Sequence, residues 1–109
     1  MGLCAGRTPP AAYFPAHLAP NDLLIVTNPK FPAAYRQGAF IAFHGSWNRA
    51  PAPQEGYDVV FQPMVRGQSS SHYVIFADGF AGAIKEPGSA RFRPTGLAAG
   101  PDGAPVCCR

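Results

Sequence analysis

Residues 44–49 read His44-Gly45-Ser46-Trp47-Asn48-Arg49, directly after the apolar run Ala39-Phe40-Ile41-Ala42-Phe43. A strand therefore empties into a loop that gathers an imidazole, an indole, an amide and a guanidinium. Such a set is costly to hold together at a strand end unless something binds there. A guanidinium can grip a carboxylate through two parallel hydrogen bonds, so Arg49 is the loop's candidate anion contact. The plain alternative is a solvated arginine, or one stacked on Trp47. His44 joins the candidate cluster, against the commoner case of a histidine hydrogen-bonded for structural reasons.

The chain that must position this loop has 109 residues, enough for one small domain. Hydrophobic residues make up 47%, so a core is within reach and global disorder is disfavoured. Gly 12 and Pro 13 together are nearly a quarter of the residues, which predicts many turns and short elements rather than long helices. The net charge of +3 rests on seven arginines and two lysines with no basic run, so no nucleic-acid partner is expected. The three cysteines, Cys4, Cys107 and Cys108, match neither a disulfide framework nor metal-ligand spacing, and no metal site is expected within the chain. No apolar run reaches membrane-spanning length, and no signal peptide is visible at the start.

Apolar runs bounded by turn residues place strands at Asp22 to Thr27, Gly38 to Phe43, Tyr57 to Gln62, Tyr73 to Phe76 and Thr95 to Ala99. Residues 1–21 are Pro- and Ala-rich and read as irregular; residues 31–37 allow one helical turn or a loop. Tyr57 to Gln62 alternates at most positions, suiting a strand with one buried face that Pro63 ends. Residues 69–71 read as a polar turn, and Pro101-Asp102-Gly103 is a strong turn signal. The expectation is an all-β meander. Strand spacing does not separate a sandwich from a barrel or a propeller. There is no Gly-rich phosphate loop, zinc spacing, nucleophile elbow or paired carboxylates.

Three segments resemble the soluble quinoprotein sugar dehydrogenases, the glucose/sorbosone dehydrogenase type that binds pyrroloquinoline quinone (PQQ). They are Pro15-Ala16-His17-Leu18-Ala19-Pro20, the run from Gly38 through His44-Gly45-Ser46-Trp47-Asn48-Arg49 to Gly56-Tyr57, and Arg93-Pro94-Thr95-Gly96 leading to Pro101-Asp102-Gly103. The central motif is the most specific of the three. The chain departs from the pattern at Asn21-Asp22-Leu23-Leu24 and after Gly103, where Pro105 is unwelcome inside a paired strand. A truncated or frame-shifted gene end is one expectation for that tail.

The resemblance implies a C-terminal-region fragment of a six-bladed β-propeller whose blades are four-stranded sheets. Residues 1–21 would be a lead-in, 22–80 one blade, 81–103 a loop and the first strand of the next blade, and 104–109 a divergent tail. It also implies PQQ and calcium as cofactors, a sugar substrate and an external electron acceptor, with no membrane span and a periplasmic or secreted parent. Arg49, Arg93, Trp47, His44 and His17 are the cofactor-binding candidates under this resemblance. Arg91 could share the side of Arg93, and His72 is read as exposed. The catalytic base is not assigned, and the calcium ligands are expected outside this chain. A lone blade is expected to be inactive and to leave Phe40, Phe43, Val59, Phe61, Ile75 and Phe76 short of packing partners. The same strands would equally serve a non-catalytic propeller repeat or a secreted β-module that binds a partner, and a mis-called reading frame would give no stable product.

Overall fold

The computed structural model describes residues 2–108, so an expectation that rests on Arg109 lies outside the described residues. The chain is all-β, with one turn of 3-10 helix at Ala33–Tyr35. The strands are β1 (Pro20–Ile25), β2 (Gly38–Phe43), β3 (Asp58–Val65), β4 (Gln68–Ser69), β5 (Val74–Ala77), β6 (Gly96–Ala99) and β7 (Pro105–Cys108). β1, β2 and β3 run antiparallel in chain order, β5 pairs with β3 on its far side, and β4 folds back on the end of β3. β6 and β7 form a separate antiparallel pair.

Period-2 alternation sorts the side chains of the central strands to two faces. Phe40 sits opposite Phe61 in the register, and Ile41 opposite Val60. One face buries Val26, Phe31, Phe40, Val59 and Phe61. Leu97 of β6 and Cys107 of β7 pack against that cluster, with Tyr35 and Phe76. The rings of Phe40 and Phe76 meet edge to face, their centroids 4.7 Å apart. The opposite face buries Leu18, Ile41, Phe43 and Val60, with Phe14 and Tyr73 against them. The β6–β7 pair is tied to β1 by Asp22, whose Oδ2 accepts from the Leu97 N–H at 2.8 Å. The backbone N–H groups of Leu97 and Leu23 hold the Asp22 carboxyl below its ordinary pKa.

Three expectations are corrected. β3 is buried on both faces rather than one, because β2 and β5 flank it and both core clusters press on it. Phe40, Phe43, Val59 and Phe61 are no more than 2% exposed, so they have their partners within the chain, whereas Ile75 stays 57% exposed. Residues 105–108 form a strand paired with β6, although Pro105 was expected to be unwelcome inside one. Pro105 opens that strand and lies opposite Ala99, a position where a missing N–H is tolerated.

Candidate functional site

The start of β1, the end of β2 and the start of β3 lie side by side, because Pro20 pairs with Phe43 and Phe43 with Asp58. The predicted site segments meet at this end. The His44 N–H donates to the Ala19 carbonyl (2.8 Å) and the Gly45 N–H to the Leu18 carbonyl (3.1 Å), so the 17–19 segment runs alongside the loop that follows β2. His17, Ala19 and Tyr57 all adopt positive φ (66°, 56° and 61°). Non-glycine residues pay for that conformation, and three gathered at one end of a sheet mark a functional-site candidate.

The 46–55 loop is closed on itself. The Ser46 N–H donates to the Glu55 carbonyl (2.9 Å), and the Glu55 N–H donates to Ser46 Oγ (2.8 Å). Beneath the loop, Tyr57 is fully buried and its hydroxyl donates to the Ser46 carbonyl. Arg49 forms an ion pair with Glu55 across the same loop. Ser46 and Tyr57 stand in the matching motif without a role and Glu55 lies outside it; the work of all three is done by contacts across the loop, through Ser46 Oγ, the Glu55 carboxylate and the Tyr57 hydroxyl, that no local pattern encodes.

Arg93 reaches in from the segment before β6. Its Nε donates to the His44 carbonyl at 3.1 Å and its Nη2 to the Gly45 carbonyl at 2.7 Å, with the guanidinium 5.4 Å from the Tyr57 ring centroid. His44 answers with Nδ1 at 3.2 Å from the Pro94 carbonyl. A carbonyl only accepts, so Nδ1 is the donor in this bond and carries a proton. Arg93 and His44 thus join the β2 loop to the β6 segment. Arg91 is exposed and lies over Phe92. His72 is exposed.

His17, Trp47 and Asn48 line a cavity of about 470 Å³ whose other walls include Phe14, Pro20 and Phe43. Trp47 is 71% exposed. An exposed indole beside an apolar floor offers a flat face, and His17 and Asn48 supply hydrogen-bonding groups at its edge. The structure therefore brings His17 and Trp47 together on one cavity. His44 and Arg93 sit behind it as a joint, and Arg49 lies in the loop above, paired with Glu55. Among the described residues, no group of three or more His, Cys, Asp and Glu is placed to hold a metal ion. Among those residues, too, no helix is long and apolar enough to cross a membrane.

Asp58, the first residue of β3, is 7% exposed. Its pKa is pushed up to about 6, mainly by burial; Lys85 pulls it down while Asp78 and Glu55 push it up. In the unfolded chain the carboxyl ionises near 3.8, so between these two values the native state keeps a proton that the unfolded state has lost. The group's cost to folding therefore grows as pH rises through that window and is fully present above it, at roughly 3 kcal/mol. Asp58→Asn is expected to raise the urea midpoint at pH 7 and leave it nearly unchanged at pH 4. Equal shifts at both pH values would contradict the burial of this carboxyl.

The family model described as TrAA12-like matches residues 2–106. No curated protein matches the chain. Among solved structures, the holo form of the pyranose dehydrogenase PQQ domain from Coprinopsis cinerea superposes with a TM-score of 0.69 at 23% identity. The match covers 96% of this chain and 28% of that one. At that identity the likeness establishes the fold: the sheet is a segment of a β-propeller of the PQQ-domain kind, spanning about a quarter of the solved domain's length.

Proposed function

The chain belongs to the TrAA12-like family, and from that premise we propose that it forms one rim segment of the cofactor and substrate funnel of a PQQ-dependent sugar dehydrogenase. The reaction of the whole protein would be oxidation of an aldose or sugar aldehyde, of the glucose or sorbosone type, with electrons passed to an external acceptor. A six-bladed propeller exported to the periplasm or secreted completes the proposal. The observation that carries it is the meeting, at one end of the sheet, of the segments that hold His17, His44, Trp47, Arg49 and Arg93, where His17 and Trp47 line a cavity with an aromatic wall. The solved domain with the same fold is a PQQ domain in its holo form.

The residues that line the cavity suit a flat ring system with polar groups at its edge. A cavity of about 470 Å³ falls within the range of about 300–1,000 Å³ typical of small-ligand sites. Bound there, PQQ would supply an electrophilic quinone carbonyl as hydride acceptor. Trp47 would give the ring a face to lie against. His17 and Asn48 would meet its polar edge, and Phe14 and Phe43 would exclude water beneath it. Arg93 spends two donors on the His44 and Gly45 carbonyls, which makes it the residue that positions the loop. Arg49, held by Glu55, would meet a carboxylate with its charge already partly offset by that partner. Calcium belongs to the proposal through the family resemblance and takes no part in these roles.

The structural employment of both arginines also favours the second reading, a propeller repeat without a cofactor of its own. Amide shift mapping separates the two. PQQ is expected to move the signals of Leu18, Gly45, Trp47 and Asn48 and to spare the turn at Arg66 and Gly67. Shifts that are absent, or that centre on that turn, would favour the repeat. In a dye-reduction assay with PQQ, calcium and glucose, this chain alone is expected to give no turnover, since the remaining blades would supply the rest of the funnel; clear turnover would refute that.

A further inference from the structure

A second cleft lies on the other side of the Leu18–Phe43 wall. Leu18 and Phe43 line both it and the cavity beside Trp47. It measures about 300 Å³, and its floor includes Asp58. Asp58 is 7% exposed, and its Oδ1 is buried without a hydrogen-bond partner among the described residues. A buried carboxylate oxygen with no donor is costly, and native structures rarely leave one so. Something that donates a hydrogen bond belongs in this cleft.

The remaining lining narrows the chemistry. Glu55 and Lys85 stand at the cleft with side chains about half exposed, bringing a second acceptor and a set of donors. Tyr73 and Ile75 provide an apolar wall. Lys85 is paired with Asp78 at 3.6 Å, which offsets its charge while leaving ammonium protons to donate, and no metal-holding cluster is present among the described residues. Hydroxyl groups donate and accept at once, so several on one ring would satisfy Asp58, Glu55 and Lys85 together, while the ring's C–H face would lie on Tyr73 and Ile75. The volume suits a single ring.

We propose that this cleft, between the start of β3 and the segment carrying Lys85, is a saccharide-binding site separate from the cavity beside Trp47, with Asp58 as its principal hydrogen-bond acceptor. It needs neither PQQ nor calcium, so it stands or falls apart from the redox reading. The test is a titration of the purified chain with D-glucose, followed by amide shifts, with tetramethylammonium as a cationic control. Saturable glucose shifts are expected at Gly56, Asp58, Tyr73 and Lys85. Asp58→Ala and the surface change Lys85→Ala are each expected to weaken binding about tenfold or more. The proposal is overturned by any of four results: no saturable shift; shifts confined to His17, Trp47 and Asn48; tetramethylammonium binding in place of glucose; or unchanged glucose affinity in Lys85→Ala.

Discussion

Replacing Gly45 by alanine is expected to destabilise the chain by about 4 kcal/mol and to collapse the loop that carries Trp47. Gly45 adopts φ +103°, outside the range that L side chains occupy comfortably. A Cβ there would stand 2.6 Å from three atoms of the Tyr57 ring. The ring has little room to retreat. Tyr57 is fully buried, and its hydroxyl is anchored on the Ser46 carbonyl. Relief would have to come from the backbone, through the two hydrogen bonds that lash His44 and Gly45 to the 18–19 segment. Urea unfolding measures the loss. A Gly45→Ala variant within about 1 kcal/mol of the parent would mean that the rim is not packed in this way.

Arg93→Ala is the second large effect, expected to cost about 3 kcal/mol. Two hydrogen bonds from a charged donor would go, and the His44 and Gly45 carbonyls would lose a partner. The contact with the Tyr57 ring would be lost as well. Lysine is a point charge on a flexible stem, and it cannot span two adjacent carbonyls as the guanidinium fork does, so Arg93→Lys should recover less than half of the loss. This outcome also defines the residue's role. A loss of stability without PQQ identifies a positioning residue. A variant of normal stability that fails only to bind PQQ would return Arg93 to direct contact with the cofactor.

The strand pattern was largely legible because it rests on burial. Gly38–Phe43 was read to the residue, since an uninterrupted apolar run between Gly38 and His44 allows little else. β4 was missed because its hairpin turns on Arg66 and Gly67, both at positive φ, and an arginine in that position lacks the usual turn signature. Pro63 was read as a stop, yet β3 runs on to Val65. Its partner Gly38 opens β2, and a Cβ there would meet the Gln62 carbonyl at 2.2 Å, so the pair fits only with glycine. Pro105 misled in the same direction, because the edge position that excuses a proline is a property of topology.

The site divides along the same line. His17, His44, Trp47, Arg49 and Arg93 could be picked out as chemically capable residues in matching motifs. Which of them faces the cavity, and which spends its donors on the backbone, depends on contacts between residues as far apart as His44 and Pro94. Tyr57 stood in a matching motif without a role, and Asp58 gave no signal beyond a strand pattern. Their importance comes from burial beneath a loop and from a missing hydrogen-bond partner, neither of which a local pattern encodes.

Trp47 gives the central claim its most direct test. It is the single tryptophan of the chain, 71% exposed, and it lines the cavity with His17 and Asn48. Titrating PQQ into the purified chain while following tryptophan fluorescence should give saturable quenching, weakened in His17→Ala and in Asn48→Ala. Quenching that rises linearly without saturation, and equally in all three proteins, would contradict the assignment of this rim to the cofactor.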